Sequence, residues 1–345
     1  MIKIDGSFGE GGGAILRQAL ALSTLTNKAF EINNIRKGRK KSGLKAQHMN
    51  AIIALEELSD CSVTDCEIGF EKLTFIPGTM KNKSVDIDIG TAGSTTLMMQ
   101  ALMLPCVFSG KTATINLIGG TDVKWSQPVD YFANVYTSYL KPYADIQVQT
   151  MKRGYFPKGG GKLIVKVKSH GEPQDLKPLM LTELGPVMEI KGVSHASADL
   201  MGARVADRQA ESAELILSDT THVLSVMRQY SKTHSTGSGI TIWALFSNPD
   251  QNIEKPIIIG ADALGEKGKP AEEIGRVAAN NLKKEIESDG VVDKYLADQL
   301  VPLLGLTKGS IKTSEITQHT KSNIYVTEKF LDVKFKVEGN TITAE

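Results

Sequence analysis

The sequence predicts a mixed α/β chain in which three similar units share one large domain and a smaller α/β domain interrupts the series. Three observations carry that expectation. A pass of short strand, glycine loop, apolar helix and alternating strand opens the chain and recurs from Val85. The 345 residues exceed what one ordinary core uses. A stretch from about Thr182 to Arg276 then breaks the pattern with a different order of elements.

In chain order, Ile2 to Asp5 reads as a strand, followed by a glycine loop, a helix from Ala14 to Leu25 and a strand from Ala29 to Ile35. The second pass has a strand at Val85 to Ile89, the turn Gly90-Thr91-Ala92-Gly93-Ser94, a helix from Thr95 to about Leu104 and a strand at Lys111 to Ile118. A third, diverged pass is expected from Ile257 through a Gly-Glu-Lys-Gly-Lys-Pro loop into a helix over Ala271 to Glu287, with a last strand pair around Asn323 to Thr343. The interruption offers a strand at Val187 to Val193, a helix over Ala203 to Leu217 and strands at His222 to Arg228 and Ile240 to Phe246. It therefore reads as an insert, residues 182–276, within a large domain of residues 1–181 and 277–345. Ser247 to Lys255 and Gly265 to Pro270 are the expected turning points.

Forty basic residues nearly cancel thirty-nine acidic ones, so no global field draws in a polyanion and any such site must be a local cluster. One exists at Arg36, Lys37, Arg39, Lys40, Lys41 and Lys45, interrupted by Gly38 and Gly43. Taken alone, a run of this kind is as readily a solvated loop. Cys61, Cys66 and Cys106 form no paired motif and no disulfide framework, the usage of a reduced compartment. No apolar run approaches a membrane span, and the chain opens directly as a strand, so a cytoplasmic protein without membrane association is expected.

The segment Gly6 to Arg17 joins five glycines, a carboxylate and a guanidinium at a strand-to-helix turn. Glycines let backbone approach an anion closely, and the amides of the following helix point toward it. Glu10 is a candidate divalent-metal ligand and Arg17 a candidate phosphate clamp. The spacing Gly9-x-Gly11-x-x-Ala14 also fits a relaxed dinucleotide fingerprint, but Glu31 opens the next apolar run rather than closing it, and a cationic segment follows where a ribose would lie. No Gly-Lys-Ser/Thr closes a Walker loop.

Near the carboxyl end, Tyr295-Leu-Ala-Asp298-Gln299 is followed by Gln318-His319-Thr320-Lys321-Ser322-Asn323, which reads as a polar loop. A neutral imidazole can attack phosphorus and pass the group onward, although a single histidine in such a segment is more often a surface residue. Tyr295, Asp298 and Gln299 fall within about one turn, where a ring and two polar groups can address a nucleoside, or simply form an exposed helix face. Arg153-Gly-Tyr-Phe-Pro-Lys-Gly-Gly-Gly161 reads equally as a strand connection or a substrate contact, and Gly119-Gly-Thr-Asp122 with Pro128-Val-Asp130 as a loop entering a helix.

Together these stretches, with Ile-Arg-Lys-Gly-Arg, Gly-Leu-Lys-Ala-Gln-His and Thr-Ala-Gly-Ser-Thr-Thr-Leu-Met-Met-Gln, resemble the RNA 3′-terminal phosphate cyclases in order from residue 6 to about residue 300. The resemblance implies an α+β fold: three repeats, each with two helices on a four-stranded sheet, and a small inserted α/β domain. It implies ATP as co-substrate, Mg²⁺ or Mn²⁺, and conversion of an RNA 3′-phosphate to a 2′,3′-cyclic phosphate through protein-histidine-AMP and RNA(3′)pp(5′)A intermediates. By position it makes His319 the nucleophile and Glu10 the metal ligand. Gln100, Pro128, Tyr295, Asp298 and Gln299 become nucleotide contacts, and Arg17, Arg36, Arg39 and Gln47 receive the RNA end. A homodimer is implied by resemblance alone. The segment around His319 departs from the commoner family versions, so its alignment rests on spacing and on Asn323 and Phe330-Leu331. A cyclase-like ribosome-assembly factor and an enolpyruvyl transferase are the rivals. Retention of His319 and Glu10 speaks against the first, and the second needs no protein-AMP adduct.

Overall fold

The computed structural model describes residues 1–173, 176–248 and 255–345. The first unit runs β1 (Ile2–Asp5), α1 (Ala14–Thr26), β2 (Phe30–Asn33), α2 (Ala46–Ser59), β3 (Ser62–Thr64) and β4 (Leu73–Ile76). Its sheet has the order β1-β2-β4-β3, with β1 and β2 parallel and the other pairs antiparallel. Helix α1 is rich in Leu and Ala and buries most of its length. It stops at Asn27, whose left-handed conformation lets its N–H close on the Ser23 carbonyl.

The second unit repeats this order: β5 (Lys83–Asp88), α3 (Thr95–Val107), β6 (Thr112–Gly119), α4 (Val129–Asn134), β7 (Ala144–Lys152) and β8 (Gly161–Ser169), paired β5-β6-β8-β7. Apolar almost all round, α3 lies inside the protein, packed on α1 and α2. Ser94 caps it by accepting the Leu97 N–H, and it runs one turn past the expected Leu104, Pro105 included.

After β9 (Met180–Leu181) the chain leaves for the interruption: β10 (Val187–Ser197), α5 (Val205–Leu217), β11 (Leu224–Ser231), β12 (Ser238–Phe246), β13 (Ile257–Leu264) and α6 (Ala271–Glu287). These form a sheet β11-β10-β12-β13 under two packed helices. Helix α6 crosses α5 at Gly275, where an added methyl would stand 2.0 Å from the Gln209 carbonyl oxygen. Of the turn expected at Ser247 to Lys255, residues 249–254 lie outside the described residues. The third unit resumes with α7 (Lys294–Thr307), β14 (Ser310–Lys312), α8 (Gln318–Phe330), β15 (Phe335–Glu338) and β16 (Thr341–Ala344). Parallel pairing of β9 with β14 completes the sheet β15-β16-β14-β9.

Three units of one topology and an insert are thus present, with two corrections. The strand at Ile257 and the helix at Ala271 belong to the insert's sheet, not to a third pass, because β13 pairs with β12 over its whole length. The boundary expected at residue 276 falls inside α6, and we propose that the inserted domain extends to Glu287. In addition, the expected strand region from Asn323 begins as helix, since α8 continues to Phe330. One continuous apolar core joins the units, from Leu20 and Phe30 through Met99 and Leu102 to Leu300 and Phe330. Among the described residues no helix is long and apolar enough to cross a membrane.

Candidate active site

The glycine turn before α1 lies back to back with the basic segment after β2. Gly11 has φ +55°, a conformation natural to glycine, and a methyl there would stand 2.8 Å from the Gly38 backbone nitrogen. A methyl at Gly13 would stand 2.6 Å from His48 Nε2 and 3.0 Å from Arg17 Nη1. The glycines therefore make room for side chains that would otherwise be displaced: Arg39 beside Gly12, and Arg17 and His48 beside Gly13. The turn is a floor beneath a cationic pocket.

At its edge stands Glu10. Its Oε1 takes a 2.6 Å charge-assisted bond from Arg39 Nη2, and its Oε2 lies 2.8 Å from His319 Nε2. Oε2 is buried against that imidazole. His319 is the second residue of α8 rather than part of a loop, and Thr317 and Thr320 form a capping box around it. Burial pulls its imidazole below the ordinary histidine value; Glu10 opposes the shift, while Arg17 and Arg39 add to it. The ring is neutral at pH 7.

Arg17 is buried on α1, and its Nε donates to Gln100 Oε1 on α3 at 3.0 Å. Burial, with Arg36 and Arg39 nearby, lowers its guanidinium to about 10. Arg36 sits at φ +57° and turns its Nη1 onto the carbonyls of Lys41 and Gly43, holding the basic loop closed. Gln47 lies at the start of α2 beside Gly93, the glycine turn of the second unit.

The remaining predicted residues gather on the α7 side. Tyr295 exposes its ring with Lys294 Nζ 5.4 Å from the centroid, and Gln299 Nε2 donates to the Tyr295 carbonyl. Pro128 precedes α4, whose Tyr131 hydroxyl donates to both oxygens of Asp293, the cap of α7. Pro128 and Tyr295 are thereby held on tied elements. Asp298 points inward: its Oδ1 accepts from Thr317 at 2.7 Å and Thr320 at 2.6 Å, and its carbonyl accepts from Asn323. Burial, with the charges of Asp293 and Glu10, raises its carboxyl to about 7. Its structural work is to hold the turn that presents His319.

Glu10 of the first unit and His319 of the third, meeting beside Arg17 and Gln100 of the first and second, make the site composite. A family model described as RNA 3′-terminal phosphate cyclase matches residues 8–337. The chain belongs to the RNA 3′-terminal phosphate cyclase family. It is 42% identical over 340 residues to the RNA 3′-terminal phosphate cyclase of Pyrococcus furiosus, covering 98% of this chain and 96% of that one. It is 42% identical to the protein of the same name from Archaeoglobus fulgidus, with 99% of both chains covered, and 41% to that of Saccharolobus solfataricus, with 98% and 97% covered.

One residue of this family member's pocket was not singled out above. His48 is buried, and its Nδ1 accepts the Lys45 N–H at 3.2 Å, which leaves the proton on Nε2, where it meets no acceptor. Burial, then Arg17, Arg36 and Lys45, push its imidazole well below the ordinary value. It is a neutral donor aimed among guanidiniums. The signal was its place three residues after Lys45, at the start of a helix that begins where the basic run ends.

Proposed function

We propose that this protein uses ATP to close an RNA 3′-phosphate into a 2′,3′-cyclic phosphate, with His319 as the nucleotide carrier. The observation that carries this reading is the 2.8 Å approach of His319 Nε2 to Glu10 at the rim of the Arg17, Arg36 and Arg39 pocket. A surface histidine on an unrelated helix would have no reason to be there.

In the first step the neutral ring of His319 attacks the α-phosphorus of ATP, a P–N bond forms and pyrophosphate leaves. An oxygen of the RNA 3′-phosphate then displaces the imidazole and takes the AMP. Last, the neighbouring 2′-oxygen bonds to the activated phosphorus and AMP departs. That closure is intramolecular, and favourable cases of such proximity are worth about 7–11 kcal/mol. Arg17, Arg36 and Arg39, with the Nε2–H of His48, supply the donors that a dianionic phosphate monoester needs, and that phosphate in turn relieves their mutual repulsion. Gln47 borders the same pocket. Gln100 links it to the nucleotide side, where Tyr295, Gln299 and Pro128 surround the base and Asp298 secures the helix of the nucleophile.

Glu10 fits a divalent ion: its Oε2 is buried with only a neutral imidazole beside it, and a single carboxylate with substrate phosphates is a usual ligand set for Mg²⁺. When bound, the ion supplies charge neutralisation on the phosphates. Lys37, Lys40 and Lys41, exposed on the loop, add a diffuse attraction for the RNA backbone.

Incubation with α-labelled ATP and Mg²⁺ or Mn²⁺ tests the reading in one gel. Label is expected on the protein, absent in His319→Ala, and chased by RNA with a 3′-phosphate. A His319→Ala protein that takes up label equally well overturns the assignment.

A further inference from the structure

We infer that Arg153 is a positioning residue for the nucleotide, clamping the segment that carries Pro128 and tying it to the inserted domain. The inference rests on the nucleotide reading of Pro128 given above. Arg153 follows β7 and is 2% exposed. Its Nη1 lies 3.2 Å from Asp122 Oδ2 and 2.8 Å from Asp130 Oδ2, while its Nη2 donates to Gln229 Oε1 on β11 at 2.9 Å. One guanidinium therefore holds both ends of the stretch between Asp122 and Asp130, and one strand of the insert.

Between its ends the stretch is held by a few bonds, and α4 behind it is tied to Asp293 through Tyr131. Its bonds include Val129 N–H to the Thr121 carbonyl, Asp122 N–H to the Gly154 carbonyl, Ser126 to the Val123 carbonyl, the Gln127 carbonyl taken by Thr96, the Pro128 carbonyl taken by Phe132 N–H, the Asp130 carbonyl taken by Asn134, and the pair Lys124–Glu266. At its middle Trp125 stands 94% exposed at φ +63°. Both ends are buried, and among the described residues the Asp130 carboxylate has the Arg153 guanidinium as its partner. Asp122 also takes the Thr121 hydroxyl at 2.7 Å, and His195 of β10 approaches it at 3.3 Å with Tyr155 on its other ring nitrogen at 2.8 Å. Asp122, Asp130 and His195 are close enough together to resemble a metal-ligand set, yet the guanidinium stands against both carboxylates and supplies the positive charge. Without it, two buried carboxylates face each other and repel across the base of the Pro128 segment. Loss of the clamp therefore acts on the nucleotide and leaves the Arg17 pocket, formed by other elements, in place.

Lysine at 153 keeps the charge but lacks the planar fork that reaches two carboxylates and an amide at once. The test compares His319→Ala protein, which binds ATP without consuming it, with His319→Ala/Arg153→Lys. The measurements are equilibrium binding of Mg·ATP, binding of a 3′-phosphorylated oligoribonucleotide, and the melting temperature. Mg·ATP affinity is expected to fall roughly tenfold or more while RNA affinity stays within about twofold, as suits misplacement at one subsite. With His319 present, the KM for ATP in adduct formation is expected to rise about as much, with kcat within about threefold. ATP affinity unchanged in a folded Arg153→Lys protein overturns the inference, as does a parallel loss of ATP and RNA binding with lowered melting temperature. Should Arg153→Lys not fold, Asp130→Asn severs one arm of the clamp and is judged by the same criteria. If His319→Ala protein with Arg153 intact binds no ATP at all, the nucleotide reading itself has failed, and the inference with it.

Discussion

Arg17 Nε donates a 3.0 Å hydrogen bond to Gln100 Oε1, joining helix α1 of the first unit to helix α3 of the second. The bond occupies Nε and leaves the two terminal nitrogens for the phosphate proposed above. Arg17→Lys keeps a charge but loses both the fork and the tether. Transfer of AMP to RNA 3′-phosphate is expected to slow about 10²-fold, the scale of losing one preorganised donor, while labelling of His319 falls less than about tenfold. Single-turnover assays of the two steps separate them, and equal losses would place Arg17 at the nucleotide instead.

Arg36 and Arg39 are expected to differ. Arg36 holds only the carbonyls of its own loop, so Arg36→Ala spares the histidine adduct and impairs transfer to RNA. Arg39 also grips Glu10, so Arg39→Ala slows adduct formation as well, by roughly tenfold if the bond is typical of charged pairs. Rapid-quench labelling with and without RNA reads both effects.

The adduct-forming step requires neutral His319, and the environment of that ring lowers its proton affinity. On the proposed mechanism its rate is therefore expected to show its acid inflection below pH 6.5. Because Glu10 raises the value against the larger effect of burial, Glu10→Gln should move the acid limb lower still, while cutting the rate about 10²-fold. An inflection at or above pH 6.5 in the wild-type profile contradicts the neutral-ring mechanism.

Asp298 separates support from contact. Asp298→Ala orphans the hydroxyls of Thr317 and Thr320 and is expected to cost about 1–3 kcal/mol and to slow labelling of His319, whereas Asp298→Asn keeps the Oδ1 acceptor and costs less. The pH dependence has a definite sign. A carboxyl raised from 3.8 to about 7 binds its proton better in the folded state, so its stabilising contribution is full below pH 3.8 and is lost as pH rises through about 7. Asn lacks that loss, and its stability relative to wild type should improve between pH 4 and 8 in urea titrations.

His48 tilts the curve the other way. Its folded proton affinity is depressed, so the unfolded chain takes up the proton first and stability declines as pH drops below 6.5. His48→Gln is expected to flatten the decline between pH 6.5 and 5, measured by chemical unfolding at each pH.

Several of these features were legible in the residues and others were not. Helices α1 and α6 follow from uninterrupted periodicity and meet their expected bounds within a residue. The third unit was misassembled because its first strand, β9, is two residues long and is separated from α7 by the whole insert, so local pattern had nothing to match. His319 reads as loop because Thr317, Thr320, Ser322 and Asn323 are weak helix formers. What makes them helical is a capping box anchored on a buried Asp298, a tertiary contact no window of sequence contains. Glu10, Arg39 and His319 were named individually, but their meeting depends on Gly9 admitting α8, where an added methyl would lie 2.8 Å from Ser322 Oγ. The contacts of Arg153 with Asp122 and Asp130 were beyond reach, since charges so far apart in sequence carry no periodic signature.

In the proposed mechanism the three copies of one topology each give a side chain to the same site: a carboxylate from the first, an amide from the second, an imidazole from the third. On the proposed reading, a solitary copy holds only part of the site. Joining them on one polypeptide fixes their stoichiometry and frees every copy to specialise, so that no position must serve three duties at once.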